Sequence, residues 1–286
     1  MKIKPECVPC LLKRCVYESR LVDSEHEHLV VKEAMEILNE LFDESAVSAE
    51  IATKVHKRVY SIIGDHDPYK DIKKECNVVS KNLIPKARKF IENGDLREAI
   101  IVAIIGNVMD FGYKDEYDDP EYLSRMFDEM LAEGLGYDDV DRIEEILQKA
   151  EKVVYFTDNA GEIVLDTLLV EKLKEYDIDV TVVVKGEPVL TDATMEDALE
   201  VGMDKVADRL DTTGGFAIGV DLALLNDELK KEIEDADLII AKGMANWESL
   251  SETDIRPIAY LTRSKCHPVA DSMGVPYDVN AAKLFE

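Results

Sequence analysis

Basic residues are scarce in this sequence relative to acidic ones. Lys and Arg number 34 against 61 Asp and Glu, which gives a net charge of −27, and the acids are spread along the whole length. Binding to nucleic acids and to anionic membranes depends on clustered Lys and Arg. The composition therefore argues against a nucleic-acid partner and a membrane-surface partner, and a solubilising surface is the simplest explanation of the acids.

Long apolar runs are also absent. A transmembrane helix needs about 18 or more consecutive apolar residues, and the sequence has no such run. The first ten residues, MKIKPECVPC, lack the apolar core of a signal peptide. We therefore expect a cytoplasmic protein.

Cysteine is infrequent, with five in the chain, an odd number that fits a reducing compartment without structural disulfides. Cys7 and Cys10 form a CxxC pair, but no second CxxC supplies the other two ligands of a zinc site. Cys266 and His267 complete such a site only if the two ends of the chain meet, so zinc ligands and buried or redox-responsive thiols both remain open. The pattern HExxH is absent, and four histidines are expected in the core or in solvent: His26, His28, His56 and His66.

The spacing of apolar residues changes near residue 150. Residues 1–150 carry apolar side chains mostly at helical spacing, which predicts a helical subdomain. In residues 151–286, the short β-branched runs VVYFT, VTVVV and DLIIAK alternate with helical sequence, as in a doubly wound α/β domain with a parallel sheet.

Polar residues follow all three predicted strands. Ligands of doubly wound domains bind beyond the carboxyl ends of the strands, and oxygen ligands there suit a divalent cation. A lysine at the same edge is able to meet a phosphate as a point charge, as are the free N–H groups of the helix that begins near Ala160. Ordinary helix caps are the alternative explanation of these acids and amides. The residues are Asp158, Asn159 and Glu162 after the first strand, Asp192 and Asp197 after the second, and Lys242, Asn246 and Glu248 after the third.

A glycine-rich loop is missing from the turn after VVYFT, where GxGxxG marks a dinucleotide site. Its absence weakens the hypotheses of a dinucleotide-binding enzyme and of a methyltransferase. In the helical half, Asn107 and Asp110 lie three residues apart, on one helix face. They either face a cleft or, with Gly112, end the helix as a cap.

Seven short motifs, in this order, carry a resemblance that covers nearly the whole chain: CVPC, DPYKDIKKECN, GNVMDFG, DNAGE, TDAT, KGMANWE and RSKC. The sequence resembles the metal-dependent damage-control phosphatase family, in its CxxC-bearing prokaryotic subfamily. The resemblance implies a helical N-terminal part packed on a three-layer α/β/α, Rossmann-like domain with a mostly parallel sheet.

The resemblance also implies roles for individual residues. Asp158, Asn159 and Asp192 match the ligands of a divalent ion, for which Mg²⁺, Mn²⁺, Co²⁺ and Ni²⁺ are the candidates. Asp158 and Lys242 are the expected catalytic residues. The expected substrate-binding residues are Lys242, Gly243, Asn246, Lys265 (with Arg263 as its alternative), Asn107, Asp110 and Glu162.

The function that these residues imply is hydrolysis of small phosphorylated metabolites by a metal-dependent phosphatase. Water activated by the metal is favoured as the nucleophile over direct attack by Asp158. We also expect Lys242 to contact the phosphate and to be replaceable with little loss of stability. The alternative function is a metal-dependent protein that binds or senses a phosphate compound without turnover.

Overall fold

The computed structural model describes residues 1–22, 24–92, 95–108, 119 and 121–286. These residues form twelve α-helices: α1 (Cys7–Val22), α2 (Glu27–Leu41), α3 (Ser48–Ile63), α4 (Lys70–Ile91), α5 (Leu96–Ile105), α6 (Glu121–Glu133), α7 (Val140–Leu147), α8 (Glu162–Lys174), α9 (Met195–Val201), α10 (Asp227–Asp235), α11 (Gly243–Leu250) and α12 (His267–Met273). They also form seven strands: β1 (Tyr137–Asp138), β2 (Lys152–Phe156), β3 (Asp179–Val184), β4 (Arg209–Thr212), β5 (Leu238–Lys242), β6 (Ile258–Arg263) and β7 (Asn280–Phe285).

The seven strands form one sheet in the order β1-β7-β6-β5-β2-β3-β4. Strands β2 to β6 run parallel to one another, and β7 runs antiparallel to β6. From β2 the chain builds outward through β3 and β4, then returns to the other side of β2 to form β5 and β6. The order therefore reverses between β2 and β5, which is where doubly wound sheets bind their ligands.

Both faces of the sheet are covered, which explains why its central strands consist almost wholly of buried residues. One face packs against α5, α7 and α8 in an apolar cluster. The other face packs against α10, α11 and α12 in a second cluster. The expected three-layer α/β/α arrangement is confirmed.

A third apolar cluster joins the remaining helices, chiefly α1 to α4 and α6, into the predicted helical part. The sheet nevertheless takes elements from residues 1–150, because β1 pairs with β7 and α5 and α7 lie in its apolar layer. The domain boundary at residue 150 rests on the change in sequence pattern and thus stays a prediction. None of the described helices is long and apolar enough to span a membrane.

Candidate active site

Two chain segments meet where the strand order reverses. Asp158 and Asn159 follow β2, and Lys242 and Gly243 stand at the junction of β5 and α11. A cavity of about 280 Å³ opens beside this junction, between the end of the sheet and the helical part. Asp158, Asn159 and Asp192 all line it.

The expected metal ligands are drawn together by the backbone and by their own side chains. Asn159 and Asp192 pair across an isolated β-bridge, and the amide of Ala193 donates to the carbonyl of Asp158 at 2.7 Å. The side-chain amide of Asn159 donates to Oδ2 of Asp158 at 2.8 Å, while its Oδ1 accepts from Thr191 Oγ1 at 2.6 Å. Asn159 therefore links the carboxylate of Asp158 to the loop that carries Asp192.

Asp158 also depends on Asn107 and Gly243. Asn107 Nδ2 donates to Oδ2 of Asp158 at 2.6 Å and to Oε2 of Glu162 at 2.9 Å. Gly243 has φ +74, and a Cβ atom added there would lie 1.9 Å from Oδ2 of Asp158. Only glycine permits this approach of backbone to carboxylate without a shift.

The donor set fits a divalent cation. Asp158, Asn159 and Asp192 are all buried, and their oxygens are the hard ligands that Mg²⁺ and Mn²⁺ prefer. Burial, and then the charges of Asp192 and Glu162, raise the pKa of Asp158 well above its usual range. A cation between the carboxylates would offset this repulsion, and Oδ1 of Asp158 is available to it because no hydrogen bond within the described residues uses that atom.

Lys242 does not point into the cavity. Its Nζ donates to Oε1 of Glu162 and Oδ1 of Asp166, both at 2.6 Å, and to the carbonyl of Ala103 at 3.0 Å. All three charged side chains are fully buried. The expectation that Lys242 contacts the phosphate directly therefore needs correction, because β5 ends beneath α5 and α8.

The electrostatics of this cluster favour ion pairing. Burial alone lowers the pKa of Lys242, but the charges of Asp166 and Glu162 outweigh it, and the pKa is raised. Burial raises the pKa of Asp166 to about 6, against the opposing effect of Lys242. Tyr155 donates to the same Oδ1 of Asp166 at 2.7 Å. The cluster holds Glu162 in place, and Oε2 of Glu162 accepts a hydrogen bond from Asn107.

The remaining residues that were expected to bind substrate differ in whether they line the cavity. Asn246 donates to the carbonyls of Thr157 and Lys242 at 3.0 and 2.8 Å, so it ties the ends of β2 and β5 together. Arg263 pairs with Glu133 and Asp278. Lys265 lines the cavity, is 1% exposed, and donates to the carbonyl of Asn107 at 2.7 Å. Asp110 lies outside the described residues.

The hydrogen bonds of the backbone N–H groups before α8 and the cap of α9 bear on the predicted anion site and on the helix-cap explanations. The Asn159 amide donates to Glu162, the Ala160 amide to Thr191, and the Gly161 amide to Asn77 Oδ1. These donors are therefore engaged by the protein. The cap of α9 is Thr194, which forms a capping box with Asp197, so Asp192 is not the cap of this helix.

A lysine that contacts Asp192 was missed in the sequence. Lys185 follows β3 directly, and its Nζ lies 3.2 Å from Oδ2 of Asp192. It also donates to the carbonyls of Ala217 and Gly219. Its place at the end of a strand is the same signal that identified Lys242.

The three cysteines that the sequence singled out line the same cavity, although they come from opposite ends of the chain: Cys7, Cys10 and Cys266. Burial raises the pKa of Cys7, and burial raises that of Cys266 to about 12. Both thiols are therefore protonated near neutral pH when no metal is bound.

Comparison with known proteins identifies the family. The profile of the damage-control phosphatase ARMT1-like domain matches residues 3–279. The chain belongs to this family. A damage-control phosphatase of Archaeoglobus fulgidus is 42% identical over 290 residues, with 100% of both chains covered.

Two further relatives also match this chain over nearly its whole length. One from Pyrococcus horikoshii is 31% identical, with 96% of each chain covered. An uncharacterised protein of Methanocaldococcus jannaschii is 38% identical, over 96% of this chain and 93% of its own. The crystal structure of a DUF89 family protein from P. horikoshii superposes with a TM-score of 0.88 at 30% identity and covers both chains completely. The resemblance inferred from the seven motifs is thus confirmed, as is the fold class.

Proposed function

We propose that this chain is a metal-dependent phosphomonoester hydrolase that acts on small phosphorylated metabolites, of the sugar-phosphate or damaged phospho-metabolite type. Membership of the damage-control phosphatase family supports a hydrolase. The observation that carries the rest is the convergence of Asp158, Asn159 and Asp192 on one cavity at the reversal of strand order.

Asp158, Asn159 and Asp192 would hold the divalent ion, and Mg²⁺, Mn²⁺, Co²⁺ and Ni²⁺ all suit oxygen ligands. When bound, such an ion polarises a phosphoryl group and supplies a nucleophilic water. Asp158 acts as a ligand in this proposal. Its Oδ2 already accepts from Asn107 and Asn159, which leaves one oxygen for the metal and none for attack on phosphorus.

Lys265 is the cation that this proposal places at the phosphoryl group. It lines the cavity, and its charge acts on the Asp158 carboxylate. An ammonium in a site shielded from water offsets the charge that develops on transferring phosphoryl oxygens. Lys242 has an indirect role, because its ion pair with Glu162 holds the acceptor of Asn107.

The size of the cavity, about 280 Å³, matches the lower end of small-molecule sites. A phosphate with one small organic group fits this volume better than a polymer does. The acidic composition, with a net charge of −27, also disfavours nucleic-acid substrates.

A phosphate-release screen tests the proposal. Protein stripped of metal is supplied with each of the four ions in turn and assayed against sugar phosphates, nucleotide phosphates and phosphorylated cofactor fragments. Metal-dependent turnover is expected, with loss in Asp192→Asn. Tight binding of phosphate compounds without turnover would instead support the regulatory alternative.

A further inference from the structure

His56, on α3, lies in the wall of the cavity that Asp158, Asn159 and Asp192 line. Its side chain is 1% exposed. The sequence analysis predicted a core or solvated position for His56, and the mechanism proposed above gives this residue no role. A nearly buried imidazole at the edge of a substrate-sized cavity is a candidate for proton transfer.

Glu18, on α1, fixes the orientation of this ring. Nδ1 of His56 lies 2.8 Å from one carboxylate oxygen and 2.9 Å from the other, and Glu18 is fully buried. Because a carboxylate only accepts, Nδ1 carries the hydrogen that joins them. A base held by a third group in this way is the usual arrangement in enzymes that move protons.

The other ring nitrogen remains for the cavity. Nε2 of His56 makes no hydrogen bond to any of the described residues. Since Nδ1 faces Glu18 and the ring lines the cavity, Nε2 is the atom that meets a bound molecule.

Helix α3, which carries His56, is hydrogen-bonded to the loop that carries Asp192. Tyr60 lies one turn beyond His56 on α3, and its hydroxyl accepts from the amide of Leu190 at 2.9 Å. Asp192 is close enough to influence the pKa of Tyr60, which burial raises. The histidine and the proposed metal ligands thus line one cavity, and the hydrogen bond between Tyr60 and Leu190 joins two of the elements that carry them.

A phosphate ester bound in this cavity has two ends, the phosphoryl group and the organic group. In-line displacement puts the attacking and leaving oxygens on opposite sides of phosphorus. If Asp158, Asn159 and Asp192 hold the phosphoryl group at the sheet end, the organic group must occupy the rest of the cavity, which α1 and α3 enclose. We infer that His56, positioned by Glu18, protonates the leaving-group oxygen; the inference rests on the proposed hydrolase function.

The step balances with water as the second reactant. Water forms the new bond to phosphorus as the bond to the ester oxygen breaks. The ester oxygen keeps that electron pair and takes the proton from Nε2 of His56. The alcohol and inorganic phosphate leave, and a proton from the attacking water returns the imidazole to its starting state through solvent.

A different use of the same residues is a metal site. The ligand atoms of Cys15, Glu18 and His56 all lie within 4.8 Å of one another. Burial, and then the charge of Glu18, raise the pKa of the Cys15 thiol well above its usual range, so the protonated thiol is favoured. Because His56 lines the cavity and Cys15 is not among the described residues that do so, we assign the pair to proton transfer and use Cys15→Ala as a control.

The test compares two substrates in His56→Gln and the wild type with metal added. One substrate is an alkyl or sugar phosphate, whose alkoxide needs a proton in order to leave. The other is 4-nitrophenyl phosphate, whose phenolate leaves without one. General-acid catalysis contributes about 10²-fold or more, so kcat/KM should fall by about that factor for the alkyl ester and by much less for the nitrophenyl ester.

Glu18→Gln should show the same dependence on the leaving group to a smaller degree, because a purely structural role would lower both rates alike. His28→Gln, at an exposed position on α2, and Cys15→Ala should retain the wild-type ratio of the two rates. If His56→Gln unfolds, the Glu18→Gln/His56→Gln double variant removes the buried unpaired carboxylate and takes its place.

Equal losses for the two esters would overturn the general-acid role while leaving the hydrolase function in place. The same leaving-group dependence in Cys15→Ala would overturn it in favour of a metal at that cluster. A wild type that releases phosphate from neither ester would overturn both the function and this inference.

Discussion

The backbone of Gly243 lies directly against the carboxylate of Asp158. A Cβ at this position would come within 1.9 Å of Oδ2 and 2.3 Å of Cγ. Because both residues stand where the strand order reverses, the end of β5 sets the position of the carboxylate that follows β2.

Gly243→Ala should therefore weaken metal binding by displacing Asp158. Changes in residues that orient a metal ligand commonly cost about 10- to 100-fold in affinity, and we expect a loss of that size or larger in calorimetric titration with Mn²⁺. Gly64→Ala is the matched control, because Gly64 has φ +70 but no atom within 4 Å of the added Cβ. Equal metal affinity in the two variants would show that Asp158 is not held by this contact.

Lys242→Met should destabilise the protein. The substitution leaves Glu162 and Asp166 buried without their shared cation, and breaking a buried ion pair in this way costs about 3–5 kcal/mol. The sequence alone led to the opposite expectation, because a lysine that faces the substrate was expected to contribute little to the stability of the fold. Denaturant unfolding of metal-free protein measures the difference, and an unchanged midpoint would contradict the buried cluster.

Asp166 gives the stability a defined pH dependence. Burial raises its pKa from the ordinary value of 3.8 to about 6 in the folded protein, so the folded state binds the proton more tightly than the unfolded state does. Its contribution to stability is then complete below the unfolded value and is lost as the pH rises through the folded one.

Asp166→Asn should remove this contribution, because the amide oxygen still accepts from Lys242 and Tyr155 while the titrating group is gone. The free energy of unfolding of the wild type, relative to the variant, should fall between about pH 4 and about pH 7. Urea unfolding of the metal-free proteins at the two pH values measures it. A difference that is constant with pH would mean that Asp166 does not titrate in this range.

Much of the fold follows from the sequence because the central strands are buried on both faces. VVYFT, VTVVV and DLIIAK are mainly apolar and do not alternate with polar residues for that reason, and they correspond to β2, β3 and β5. The strand β4 was not anticipated, since its sequence, RLDT, lies half-buried at the edge of the sheet. The antiparallel β7 was also missed, because strand direction depends on tertiary pairing.

The candidate site also contains some residues whose positions could be predicted from the sequence and others whose positions could not. The position of Asp158, Asn159 and Asp192 at one cavity could be predicted because strand ends in a doubly wound sheet share one edge. The direction of the Lys242 side chain could not, since it depends on which helices cover the end of β5. His56 offered no local motif: its partner Glu18 lies 38 residues away in sequence, and only the packing of α1 on α3 brings the two together.

The central claim is that the oxygens of Asp158, Asn159 and Asp192 hold a metal on which phosphate release depends. Phosphate release by metal-stripped protein, titrated with Mn²⁺, tests it most directly when the wild type and Asp158→Asn are compared with one phosphomonoester from the screen. We predict that the wild type regains activity with saturable dependence on Mn²⁺. Asp158→Asn, folded to the same extent by circular dichroism, should stay at least about 10²-fold lower at every concentration. Equal phosphate release by the two proteins, or release that persists without metal, would contradict the account.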